Sequence, residues 1–294
     1  MTIELHHGET ASEDAGGAVA WRFAPAFRHA VINLFNLIIL LPLAWVLLMS
    51  VKSLPDAMSG NFWPRRFDFT HYGYVFGRIA TLPINLFNSA YVTAATVILT
   101  TICAVLAGYA LVHIRPRGAG VALTLFFVSL YFPVRVASII SIYETQHWLG
   151  LINNTSGLIL PYVTLQLVIS ILVMRSMFQL VPHEIFESAR IDGAGHWRAL
   201  WEVGLPMVRN GLVVIFIVNF VAAWGEYLLC LTLVDDEAKR TMPVVLAAAQ
   251  GGQGQWAWPN LAAVYVIVVA PGILAFTFAQ KFFFKGLLEG ALKG

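Results

Sequence analysis

Ala90-Tyr-Val-Thr-Ala-Ala-Thr-Val-Ile-Leu-Thr100-Thr-Ile-Cys103-Ala-Val-Leu-Ala107-Gly-Tyr109-Ala-Leu-Val112 is a continuous run of 23 residues without a charged side chain. A helix of about 17–25 such residues crosses the roughly 30 Å hydrocarbon layer of a bilayer. A transmembrane barrel strand would be about ten residues long and alternate apolar with polar, so this run reads as a spanning helix. Five further runs match it, at 31–50, 121–143, 158–174, 212–234 and 261–280. All six together contain only two charged side chains, Arg135 and Glu226. Composition points the same way, because 12% of the 294 residues are charged and mean hydropathy is +0.74, whereas a soluble domain carries about 25% charged residues. The expected fold is an all-α integral membrane protein with six transmembrane helices.

Lysine and arginine gather in the loops that stay inside the cell. With a cytoplasmic amino terminus, the inner side collects 11 of the 18 basic side chains, among them Arg115, Arg117, Arg175, Arg190, Arg198, Arg209, Lys281 and Lys285. Both termini are therefore expected in the cytoplasm. Residues 1–25 read as a mobile cytoplasmic tail, 26–280 as the six-span domain and 281–294 as a carboxyl-terminal cytoplasmic tail. The first apolar run is of span length and no small-residue cleavage site follows it, so it reads as a retained span rather than a signal peptide. A net charge of +2 from 18 basic and 16 acidic side chains shows no clustered basic face for nucleic acid. Cys103 and Cys230 lie in apolar runs, where a thiol behaves as a small hydrophobe.

The inner loop at 182–206 carries the densest signal. Pro182 suits a first helical turn, Glu184 and Glu187 suit the positive end of a helix dipole, and Gly193 and Gly195 suit a stop. The loop reads as helix, turn, helix, with Ile185, Phe186 and Ala189 as a small apolar face. A helix of about ten residues is marginal alone in water, so span ends or a soluble partner must hold it.

Glu187-Ser188-Ala189, then Asp192-Gly193-Ala194, then Val203-Gly-Leu205-Pro206 after eight residues, resembles the EAA loop of bacterial ABC-importer permease subunits. Ser188 stands where that family usually has a second Ala, and Val203 where it usually has Ile. The likeness runs over roughly residues 27–294. Asn88-Ser89, Ala107-Gly-Tyr109-Ala, Pro133, Leu149-Gly-Leu-Ile-Asn-Asn154 and the ending from Gln280 to Gly294 are similar to the maltose-type, carbohydrate-uptake branch, in particular its six-span maltose-G-like subunit. Near Trp224-Gly225-Glu226 that branch often has Asn where this chain has Gly225. The resemblance implies a type I importer permease fold in the bacterial inner membrane, paired with a second permease subunit, two ATP-binding subunits and a periplasmic or lipid-anchored solute-binding protein. It implies that Glu187, Ser188, Ala189, Asp192, Gly193, Ala194, Leu205 and Pro206 couple the pore to an ATPase. It places ATP and Mg on that ATPase and no cofactor on this chain. The chain itself reads as no enzyme: a Walker A loop ends in Gly-Lys-Ser/Thr, and none of its five lysines follows a glycine.

Arg135 and Glu226 would each cost about 2.5–3.5 kcal/mol facing lipid at a helix centre, so they must face protein or water. On a continuous helix Asn219 and Glu226, seven residues apart, fall within about 20° of one face. With Trp224 as a sugar-stacking ring, these are candidates to line a pathway. The other reading puts Arg135 and Glu226 near the outer ends of their spans. The outer loop at 235–260 holds Gly251, Gly252, Gln253 and Gly254 as a candidate binding-protein contact, implied by the "scoop" loop of maltose-type permeases. Trp256 and Trp258 beside it suit a membrane-interface belt equally well. Pro42, Pro133, Pro161 and Pro271 are expected to kink spans. The alternative function is an ion-coupled secondary transporter of a small polar solute, which would need an intramembrane acid or histidine relay.

Overall fold

The computed structural model describes residues 25–131, 138–251 and 256–291. In chain order the helices are α1 (Pro25–Met49), α2 (Leu54–Met58), α3 (Thr70–Arg78), α4 (Leu82–Tyr109, prolonged by a π turn Ala110–Ile114), α5 (Ala119–Tyr131) and α6 (Ile139–Trp148). They continue as α7 (Ile159–Gln179), α8 (His183–Ile191), α9 (His196–Met207), α10 (Arg209–Trp224), α11 (Leu228–Leu233), α12 (Met242–Gly251) and α13 (Trp258–Ala291). The tail before Pro25, Pro133, Arg135, Gly252, Gln253, Gly254 and residues 292–294 lie outside the described residues.

Among the described residues the regular elements are helices, as the continuous apolar runs require, beside one isolated bridge between Lys52 and Phe67. Among the described residues, four stretches are long and apolar enough to cross a membrane: His29–Met49, Leu82–Ile114, Thr155–Gln179 and Trp258–Phe278. A fifth is the pair α9 and α10, bent by 77°. The run at 121–143 is described as two helices, α5 and α6, on either side of residues 132–137.

Several expected boundaries move, each for a local reason. The helix expected from residue 90 starts at Leu82, with Pro83 in the first turn, where a missing N–H costs nothing. The span expected over 212–234 stops at Trp224, since Gly225 caps it and a new helix begins at Leu228. Pro161 sits in the first turn of α7 instead of mid-span. The segment read as an outer loop contains α12, whose Met242, Val244, Val245 and Ala249 are buried. The expected tail from residue 281 continues α13 as helix to Ala291.

The core is built on α4 and α7, which run in parallel. Tyr91 Oη lies 3.2 Å from Ser156 Oγ at one end, and Gly108 meets Met174 at the other. A Cβ at Gly108 would sit 2.9 Å from Met174 Cβ and 3.0 Å from Arg175 N, so only glycine permits this approach. Small residues at such contacts let membrane helices pack by van der Waals attraction, where no hydrophobic force acts between them. α10 joins the pair through Ser170 Oγ, which donates to Asn219 Oδ1 at 3.0 Å.

At the end remote from α8, polar side chains bind loop backbone. Asn85 Nδ2 donates to the carbonyls of Glu237 and Arg240 at 2.6 and 2.9 Å, Asn88 Nδ2 to that of Ala238 at 2.8 Å, and Ser89 Oγ accepts from Met242 N at 2.7 Å. Asn153, at φ +56, accepts from Asp236 N at 2.9 Å. These bonds satisfy backbone groups that no helix ladder serves. Nearby, the buried Lys52 ammonium lies 4.7 Å from the centre of the Trp45 ring and donates to Asn61 O.

Gly108→Val is expected to push α4 from α7 and cost about 1–3 kcal/mol, the usual penalty of overpacking. Thermal unfolding of the purified protein would show it as a lowered midpoint; an unchanged midpoint would mean the helices do not meet at Gly108.

Candidate functional site

The hairpin of α8 and α9 protrudes from the ends of α4 and α7, and its turn is fixed by backbone chemistry. Ala194 N donates to Ala189 O at 2.9 Å and Gly193 N to Arg190 O at 3.0 Å. That pair of bonds is a Schellman motif, which needs a left-handed residue just past the helix. Gly193 supplies it at φ +83. No atom lies within 4 Å of where its Cβ would stand, so backbone strain alone selects glycine here. Asp192 is the helix cap, with its N–H on Ser188 O at 3.0 Å. α9 then passes through a π turn at Leu200–Gly204 and the Leu205-Pro206 pair, and the chain bends at the buried Val208.

Phe186 anchors this hairpin. It is 4% exposed and packs with Ala104, Tyr109, Phe178 and Leu200. Its ring centre lies 5.8 Å from that of Tyr109 and 3.9 Å from that of His113. Sequence periodicity marked Ile185, Phe186 and Ala189 as one apolar face. The structure buries Phe186 and leaves Ile185 and Ala189 partly covered. It could not have named Tyr109, His113 and Phe178 as the receptor, since those come from two other helices.

The outward side of the hairpin presents Glu187, Ser188, Asp192 and Pro206 to solvent, with Ala194 and Leu205 half-buried. Three large apolar side chains stand among them: Ile191 at 86%, Trp197 at 63% and Trp201 at 54% exposure. The two indoles meet edge to face at 5.8 Å. Exposed apolar groups on this otherwise polar hairpin make it a candidate interaction surface. Sequence reading missed the tryptophans, although their spacing of four on one helix was a visible signal.

The candidates around α10 separate. Asn219 is 1% exposed and holds α10 to α7, and Glu226 lies beyond the end of the helix, so the two do not share one helical face. Instead the Glu226 carboxylate accepts from Leu229 N at 3.0 Å and Cys230 N at 3.3 Å. It caps α11, where an anion meets unpaired amides and the positive dipole end. Trp224 Nε1 donates to Val268 O at 3.0 Å, and its ring stacks on Phe220 at 5.8 Å, which stacks on Phe216 at 6.1 Å. This aromatic ladder borders a groove of about 560 Å³ with Ala90, Ala94 and Ile98 of α4 opposite. At the remote end, Gly251 is the last residue of α12 and Trp256 packs edge-on against Tyr74 at 5.8 Å. Trp258 is exposed. Among the described residues no group of three or more histidine, cysteine or acidic side chains could hold a metal ion.

Residues 100–289 match the family model described as the binding-protein-dependent transport system inner membrane component. The diacetylchitobiose uptake system permease protein NgcG of Streptomyces coelicolor is 31% identical over 274 residues, covering 92% of this chain and 90% of that protein. The sulfoquinovosyl glycerol transport system permease protein SmoH of Agrobacterium fabrum is 31% identical over 257 residues, covering 87% and 89%. Among solved structures, a chain of a bacterial ABC transporter involved in the import of the acidic polysaccharide alginate superposes with a TM-score of 0.75 at 23% identity, over 89% of this chain and 97% of that one.

Glu226→Ala is expected to cost about 0.5–2 kcal/mol, the range for loss of a helix cap, and to fray α11. Amide exchange at Leu229 and Cys230 should accelerate. Exchange unchanged at both would rule out the capping role.

Proposed function

Because this chain belongs to the family of inner membrane components of binding-protein-dependent transport systems, we propose that it forms one half of a heterodimeric pore whose α8–α9 hairpin docks on an ATPase. It is a sugar-uptake permease of an ABC importer and a multi-pass protein of the bacterial inner membrane. Nothing in the family or the fold favours the ion-coupled alternative.

One observation carries the docking reading: a hairpin locked by a Schellman turn and anchored by Phe186 offers Ile191, Trp197 and Trp201 to water beside Glu187, Ser188 and Asp192. A rigid bracket with an uncovered apolar surface fits a soluble partner. In this reading Glu187, Ala189, Asp192 and Ala194 shape or present the docked surface, while Leu205 and Pro206 lead the chain into α10. ATP and Mg sit on the partner, which supplies the hydrolysis that this chain lacks a motif for.

The finer architecture follows from charge and length. The chain crosses the membrane six times, with both termini in the cytoplasm, because the α8 end collects the basic loops. The remote end then faces a periplasmic or lipid-anchored binding protein, with 235–260 as the contacting segment. The Phe216, Phe220 and Trp224 ladder is the wall offered to the sugar or to the second permease subunit. Stacked aromatic faces suit the C–H surfaces of sugar rings. Asn219 and Glu226 support that wall from behind, by holding α10 to α7 and capping α11.

Gly193→Val places a branched side chain in the left-handed region, at a cost of about 1–2 kcal/mol, and is expected to abolish uptake and transport-stimulated ATP hydrolysis while the two permease subunits still co-purify. Gly193→Asn, which tolerates that backbone better, should retain much of both. Full uptake by the Val variant, or no ATPase recovered with the wild-type protein, would refute the docking role.

A further inference from the structure

A cavity of about 870 Å³ opens at the α8 end of the molecule, enclosed by the π turn of α4, the start of α5, the end of α7 and the start of α8. Coupling through the hairpin makes no use of it. His113, Arg115, Arg175 and His183 line it, against a single acid, Glu184. Part of this polar capacity is unspent. Both ring nitrogens of His113 and the Arg175 Nε are buried without a hydrogen-bond partner among the described residues. Arg115, held at φ +49, turns back over the helix end and uses its Nε on Val112 O at 3.0 Å.

Two helix N-termini converge on the same space. Ala119 and Gly120 of α5 line it, as do His183 and Glu184 of α8, and no side chain caps α8. Unpaired amides at the positive end of a helix dipole bind anions, and guanidinium groups match the oxygens of a phosphate. Apart from Gln179, the remaining side chains of the wall are apolar: Phe178 lies within, and Leu180, 77% exposed, stands at the rim. The cavity also sits where the apolar stretches of α4 and α7 end. A free anion would leave that apolar rim bare, whereas an anion that carries acyl chains covers it.

We propose that this cavity binds the phosphate of an anionic phospholipid from the cytoplasmic leaflet, with Arg115 and Arg175 as the donors. The assignment rests on α4 and α7 as spans and on the orientation given above, and is independent of cargo and of the ATPase. Basic pockets between spans on the cytoplasmic side suit such headgroups.

The test reconstitutes the intact importer, or the permease pair alone, in nanodiscs of phosphatidylcholine and phosphatidylglycerol, and reads the lipids retained on release by native mass spectrometry. Phosphatidylglycerol should be retained in preference, the preference falling about fivefold for each of Arg115→Ala and Arg175→Ala. Glu184→Gln, which removes the one acid and leaves both arginines, should raise it, so a poorly folding arginine variant does not leave the idea untested. Equal retention of the two lipids would overturn the proposal, as would a preference unmoved by all three substitutions. Binding of inorganic phosphate at the same site without any lipid preference would also overturn it, by making a free anion the occupant. Because retention is measured on the pair without ATP, failure here differs from failure of the docking test, which reads hydrolysis and uptake.

Discussion

The Phe186 ring, enclosed by Tyr109, His113 and Phe178, seats the protruding hairpin on the rest of the molecule, with Ala199 and Leu200 of α9 buried in the same cluster. α8 has nine residues, and a helix that short does not hold itself in water. Burying one phenylalanine contributes about 1.5–3 kcal/mol, enough to offset that deficit. The receptor is made of the last turns of α4 and α7, so hairpin geometry is set by how those two helices meet. That in turn depends on Gly108, where Met174 Cβ and the Arg175 backbone leave no room for a side chain.

The bilayer imposes the second constraint. Polar side chains inside an apolar layer need partners from the protein, and here several are spent on holding helices together. Ser170 and Asn219 bridge α7 to α10, while Asn85, Asn88 and Ser89 bind the segment 237–242 beyond the helix ends. Glu226, the one acid in the apolar run at 212–234, satisfies two backbone amides. A charge that sequence alone marks as costly therefore stabilises the restart of a helix after a break.

What was legible in the sequence was whatever depends on neighbours along the chain. Long uncharged runs gave the helical class, and glycine after a short amphipathic helix gave the hairpin turn at Gly193. Breaks inside an apolar run were not legible, because hydropathy is blind to Trp224-Gly225-Glu226, whose meaning lies in a capping geometry. α12 reads as loop in the sequence because its ten residues are too few to span and its burial against α4 and α13 is tertiary. Asn219 and Glu226 share one face only on a continuous helix, and the stop at Gly225 breaks that continuity. The receptor for Phe186 was out of reach for the same reason: Tyr109, His113 and Phe178 come from helices about 65 residues apart in sequence register, aligned only by packing.

The two rods and the helix beside them differ in what can move. α4 and α7 are locked along their length, by Gly108 at one end and the Tyr91–Ser156 contact at the other. α10 is bracketed by irregular backbone: a 77° bend at Val208 and a stop at Gly225. Interrupted helical ladders are where helices bend most cheaply. The hairpin feeds directly into the first of these breaks through Leu205 and Pro206, while Phe186 pins its other arm to the rigid pair. Ala199 and Leu200 of the α9 arm are buried in the same cluster as Phe186, so both arms rest on α4 and α7 before the chain enters α10. α10 is the helix that carries Phe216, Phe220 and Trp224 on its uncovered groove, so the element least restrained by backbone is also the one that presents the aromatic wall.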